Sequence, residues 1–98
     1  MKGILIEPGK APVVTTLPDT LQDIEAWLQV PCKQKVLPRS PAVLVYGLLG
    51  KGLNRIYRGQ NIYGTILCYG WKNNTLQSLS KDLQAEMLDR LKDTEVRV

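Results

Sequence analysis

Between Tyr46 and Thr65 the chain reads YGLLGKGLNRIYRGQNIYGT, and this stretch holds the side chains best suited to chemistry. Lys51, Arg55 and Arg58 are cations, Asn54 offers both a donor and an acceptor, and Tyr57 and Tyr63 bring aromatic faces. The stretch contains no acid, and Gly47, Gly50, Gly52, Gly59 and Gly64 punctuate it. Successive backbone N–H groups in a glycine-rich loop can converge on an anion. A guanidinium adds charge in a fork that fits phosphate or carboxylate. Were this segment one helical turn, Arg55 and Arg58 would share a face and grip such a group together. Tyr57 or Tyr63 could then stack on a base. The bland reading of the same residues is a long connection carrying solvated arginines. GLLGKGLN is not a P-loop, because Gly52 is followed by Leu53 and Asn54 rather than by Lys and Ser or Thr.

Other chemistries are narrowed by what the chain lacks. It has no histidine, which removes the usual general base, the Ser–His and Cys–His nucleophile pairs and most zinc sites. Cys32 and Cys68 are far apart with no CxxC spacing, and the apolar residues around them read as buried or half-buried thiols. The expectation is a protein that is not an enzyme and uses no cofactor and no metal.

Charge is distributed unevenly. The formal net charge is +4, and no Asp or Glu occurs between Glu25 and Asp82. That span holds Lys33, Lys35, Arg39, Lys51, Arg55, Arg58, Lys72 and Lys81. A fold built on it should carry one electropositive side, which concentrates anions. Lys33, Lys35 and Arg39 fit better as guards of an edge strand than as part of a site. The second predicted helix carries Asp82, Glu86, Asp89 and Asp93, which would repel a phosphate backbone, so nucleic acid is an improbable partner.

The elements that must position these residues follow from pattern. KGILIE and VVTTL are β-rich runs around the turn signal PGKAP and predict a hairpin. LPDTLQDIEAWLQV predicts a helix capped by Asp19 or Thr20 and ended by Val30 and Pro31, with Leu21, Ile24 and Leu28 on one face. CKQKVLP predicts an edge strand, and AVLVYGLL a central one. In YGTILCYGW, Ile66 and Cys68 should face away from Leu67 and Tyr69. SLSKDLQAEMLDRLKD predicts a second helix capped by Ser80, with Leu83, Met87 and Leu91 recurring every fourth residue. Trp27 and Trp71 read as core or half-core anchors. Roughly 18 residues join the two strands around the basic loop, and its apolar members Leu53, Ile56, Tyr57, Ile62 and Tyr63 predict that it folds back and packs. The sum is one domain over residues 1–98. It is an α+β fold, a small and mostly antiparallel sheet of four to five strands with two helices packed on one face. No apolar run approaches the roughly 20 residues that span a bilayer, and the apolar run after Lys2 is too short for a secretory signal, so a cytoplasmic location is expected.

KGILIEPGKAPVV followed by TLQDIEAWL resembles the opening of a family of small, largely uncharacterised proteins of bacteriophages and other mobile elements. GLNR, IYGTILCYG and SLSKDLQAEMLDRL are similar to later segments of that family. The chain departs from the pattern at CKQKVLPRSP, which lacks the acids the family has after its third strand. The resemblance implies a viral protein that works by binding in the host bacterial cytoplasm. The expected function is non-enzymatic and counters a host defence pathway. Sequestration of an anionic, nucleotide-type small molecule is favoured, with Lys51, Asn54, Arg55, Tyr57, Arg58 and Tyr63 as ligand-binding residues. The alternative is a direct protein inhibitor of a host defence effector, and a weaker one a nucleic-acid-binding accessory protein. A homo-oligomer is expected, since so short a chain makes only a shallow pocket by itself.

Overall fold

The computed structural model describes residues 1–37, 40–48, 52–57 and 59–92. The first hairpin forms as its turn signal predicts: β1 (Lys2–Ile6) pairs antiparallel with β2 (Val13–Thr16). Helix α1 (Leu21–Leu28) follows, with Thr20 as its N-cap and its hydroxyl accepting from Asp23 N at 3.1 Å. This satisfies one of the first-turn donors that a helix leaves unpaired. Gln29 closes the helix in the left-handed region at φ 59°.

Strand β3 (Cys32–Val36) is an edge strand, as its lysines suggest, and pairs with β4 (Ala42–Gly47). The glycine-rich connection is not a bare loop. It contains β5 (Leu53–Tyr57) and β6 (Gln60–Tyr63), which form a separate two-stranded sheet. β7 (Ile66–Lys72) is the hub, bonded to β1, to β4 and to the short β8 (Thr75–Gln77). Helix α2 (Lys81–Lys92) ends the described chain, with Leu83 N donating to the Ser80 hydroxyl at 3.3 Å. The six-stranded main sheet runs β2-β1-β7-β4-β3, with β8 off that path.

The α+β class is as expected, while two details differ. The sheet is larger than four to five strands, because β8 joins it. The helices also do not share a face. Ile24 of α1 packs with Val43, Val45, Leu67 and Tyr69, whereas Met87 and Leu91 of α2 pack with Leu44, Tyr46, Ile66 and Cys68. Successive strand residues point to opposite faces, so the two clusters lie on opposite sides of the sheet. The physical reason is in β4, buried along its whole length. A strand apolar on both faces needs cover on both. The α2 face is completed by the β5–β6 hairpin, which inserts Ile62 into the same cluster.

Trp71 packs at the margin of the α1 cluster, but Trp27 lies half exposed. Leu21, Ile24 and Leu28 already fill the buried stripe of α1, and Trp27 falls beside it.

Candidate functional site

The segment carrying the predicted grip is a strand and not a helical turn. In a regular strand Asn54 and Arg55 would face opposite sides. Here the register shifts between Leu53, opposite Tyr63, and Arg55, opposite Ile62, so Asn54 is the extra residue of a β-bulge. A bulge re-aims neighbouring side chains, and both residues turn inward, each only 1% exposed. Asn54 Nδ2 donates to Ile6 O at 2.8 Å and to Gly64 O at 2.6 Å. Arg55 Nη1 donates to Asn54 O at 2.9 Å and Asn54 Oδ1 at 2.8 Å, and Nη2 donates to Lys10 O at 2.8 Å. The two side chains latch the hairpin to the end of β1 and to the β1–β2 connection. Buried polar groups need partners inside the protein, and these bonds run to backbone carbonyls and between the two side chains. The grip expected of Asn54 and Arg55 on a ligand is therefore replaced, in this arrangement, by a structural latch.

The other strand of the hairpin behaves differently. A cleft of about 220 Å³ opens between β6 and the β3–β4 edge, lined by Lys33, Tyr46, Gly47, Leu48, Gln60, Asn61, Ile62 and Tyr63. Lys33 pairs with Tyr46 across β3–β4 and Lys35 pairs with Leu44, so both lysines project from the face that the hairpin covers. Lys35 Nζ donates to Gln60 Oε1. Gln60 Nε2 donates in turn to Tyr46 Oη at 3.1 Å. Tyr63 and Leu48 stand at the rim, 46% and 59% exposed. The cleft thus combines a cationic wall, a polar floor and an apolar lip.

Among the described side chains of the residues expected to bind, Tyr63 lines this cleft and Asn54 and Arg55 do not. Asn54 and Arg55 lie on β5 of the same hairpin, buried and bonded into the fold. Lys51 and Arg58 fall outside the described residues, and Tyr57 gives β5 its last residue while its side chain falls outside the description as well. Lys33, Tyr46, Gln60 and Asn61 were not singled out as ligand-binding residues. For the lysines a signal existed in the edge strand, where alternate positions put both on one face. For Tyr46, inside an apolar run, no signal existed, because only the hairpin packing against it makes a cleft.

A second concavity of about 210 Å³ lies beside the start of α2, lined by Trp71, Lys72, Gln77, Ser78, Ser80 and Leu83 with Pro41 and Gly70. The cysteines are both free thiols. Burial pushes Cys68 up from 9.0 to about 12, with Arg90 pulling weakly the other way. Burial, and then the nearby Glu25 carboxylate, also raises Cys32. Thiolate is the reactive form, so neither cysteine is poised as a nucleophile. Among the described residues no three His, Cys, Asp or Glu side chains come together where they could hold a metal ion, and no helix is long and apolar enough to cross a membrane.

Fold and cleft together define a small α+β protein with a lysine-walled recess at one sheet edge, formed where an inserted hairpin meets that edge. The chain belongs to the family described as Domain of unknown function (DUF3846), whose model matches residues 1–92. No curated protein and no solved structure matches it.

Proposed function

We propose that this protein is a non-catalytic binder that takes an anionic, phosphate-bearing small molecule of nucleotide type into the β3–β4/β6 cleft. The observation that carries this reading is the convergence on one recess of Lys33, the Lys35–Gln60–Tyr46 chain and the exposed ring of Tyr63. Lysine attracts the phosphate and the Tyr63 ring offers a stacking face for a base. A pocket that encloses a drug-sized ligand has a volume of roughly 300–1,000 Å³. The cleft, at about 220 Å³, would enclose the phosphate and sugar and leave the base against the rim. A second copy of the chain over the rim would complete the enclosure, which is the form in which the homo-oligomer enters this reading. In the phage or mobile-element setting that the sequence resemblance suggests, such capture would withdraw a host defence signal in the cytoplasm.

The test is calorimetric titration of the full chain with AMP and with ADP-ribose, alongside adenosine. Binding of the phosphorylated probes, lost in Lys33→Ala and Tyr63→Ala, is the expected result. Absence of binding to either phosphorylated probe, with a host protein co-purifying in stoichiometric amount, would replace this reading with direct inhibition of a defence effector.

A further inference from the structure

The floor of the cleft carries a hydrogen-bond chain whose direction chemistry fixes. An ammonium group has donors and no acceptor. The Gln60 atom that meets Lys35 must therefore be the carbonyl oxygen, as found. The two ends of a glutamine amide have nearly the same shape, and only their partners tell them apart. Here Lys35 removes the choice. The amide nitrogen is left facing Tyr46, and it donates to Tyr46 Oη at 3.1 Å. Tyr46 Oη is thus an acceptor in this contact, and its own proton must go elsewhere. Among the described residues that proton has no acceptor. Tyr46 is 6% exposed and lines the cleft, and its hydroxyl is bonded to Gln60, another lining residue, which places its one unused donor at the floor of the recess. Each link of such a chain polarises the next, and the far end becomes a stronger donor.

We infer that Tyr46 is a ligand-contacting residue of the cleft and that the group it takes is an ionised phosphate-monoester oxygen. This inference rests on the reading of the cleft as an anion site. A hydroxyl oxygen can also accept from Tyr46, but a bare oxyanion accepts a shorter, charge-assisted bond. Lys33 on the wall supplies the charge that favours a phosphate dianion over a single carboxylate. Lys35 acts through Gln60 as a positioning residue: it holds the amide in the orientation that frees the Tyr46 proton. The same logic disfavours a neutral sugar as the occupant of the floor, because a hydroxyl offers no charge to Lys33.

Ribose 5-phosphate is the probe, titrated calorimetrically into the full chain, with ribose and gluconate as the neutral and carboxylate arms. The wild type is expected to bind ribose 5-phosphate, gluconate more weakly, and ribose not measurably. Tyr46→Phe keeps the ring in the core and removes one hydroxyl, and should weaken ribose 5-phosphate by about tenfold or more. Gln60→Glu reverses the chain. A carboxylate accepts from both Lys35 and Tyr46, so the phenol proton is consumed and binding should fall further. Asn61→Asp puts the same charge on the cleft lining without touching the chain, and should cost less than Gln60→Glu. Wild-type binding that survives Tyr46→Phe unchanged would overturn this inference and leave the cleft as an anion site. Gluconate binding at least as tightly as ribose 5-phosphate would overturn the choice of phosphate. No binding of ribose 5-phosphate by the wild type would overturn the reading of the cleft and the inference with it.

Discussion

The two strands of the β5–β6 hairpin carry similar polar side chains and put them to opposite uses. On β5, an amide and a cation, Asn54 and Arg55, are turned inward and spend their donors on Ile6, Gly64 and Lys10 carbonyls. On β6, the amide of Gln60 faces the recess and joins Lys35 to Tyr46. The β5 side chains tie the hairpin to the frame, while the β6 amide leaves the Tyr46 proton over at the recess. The difference lies in geometry and not in residue type: the bulge at Asn54 rolls β5 toward the core, whereas the Tyr57–Gln60, Ile56–Asn61 and Arg55–Ile62 pairs keep regular register along β6. Buried polar groups with their bonds made stabilise a structure, and those with a bond left over are candidates for recognition.

The sharpest way to break this comparison is Asn54→Ala. It removes both donors to Ile6 O and Gly64 O and the Oδ1 acceptor of Arg55. Stranding buried polar groups costs about 1–3 kcal/mol each, so a loss of about 3 kcal/mol in urea unfolding is expected, and a loss below about 1 kcal/mol would sink the latch.

Next in size is the response of the buried core to alkali. Cys68 shares the hairpin-covered cluster with Ile62, and in the folded chain its thiol holds its proton up to about 12 against the ordinary 9.0. Above pH 9.0 the unfolded chain loses that proton while the folded chain keeps it. Stability is therefore fully present below pH 9.0 and declines as pH rises toward 12. The slope approaches about 1.4 kcal/mol per pH unit. Burial, with Asp19 adding to it, raises Tyr69 in the same direction. Urea melts from about one pH unit below the onset to about 1.5 above it should show the decline, and Cys68→Ala should make it shallower. Iodoacetamide should label Cys68 slowly in the wild type and faster in Asn54→Ala, which reports directly on whether the latch seals the hairpin.

Gly59→Ala probes the tight connection between the two strands. Gly59 sits at φ 77° and an added Cβ there meets nothing within 4 Å among the described residues. The cost is then conformational alone, about 1–2 kcal/mol, and would appear as a lower midpoint with binding at the cleft retained. The smallest effect on stability belongs to the open side. Lys33→Ala and Tyr63→Ala should change unfolding free energy by no more than about 0.5 kcal/mol, as surface substitutions do, while weakening AMP. If either destabilises the fold as much as Asn54→Ala, the division between the two strands fails.

Much of the architecture was legible in the residues. Thr20 and Ser80 cap their helices through bonds their positions call for. The edge placement of β3 followed from its lysines, and Ile66 and Cys68 do face away from Leu67 and Tyr69. The folding-back of the basic connection was legible in its apolar members, Ile62 above all. The two-sided cover of the sheet could have been read from the unbroken apolar runs of β4 and β7, which call for a layer on each face. The candidate site was far less legible. Tyr63 was named from its neighbours in the basic stretch and lines the cleft, Lys33 and Lys35 were taken as guards of the edge, and Tyr46 and Gln60 gave no local sign of recognition.

The reason is where each kind of information resides. Caps, turns and the alternation of strands are set by residues within four positions of one another, so the chain by itself determined them. A bulge in β5, a hairpin folded over an edge strand and a glutamine held between Lys35 and Tyr46 join residues 14 and 25 positions apart. Such contacts exist only once the sheet has brought its edges together. Tertiary structure therefore decided which of several similar amides and cations became part of the frame and which were left facing the cleft.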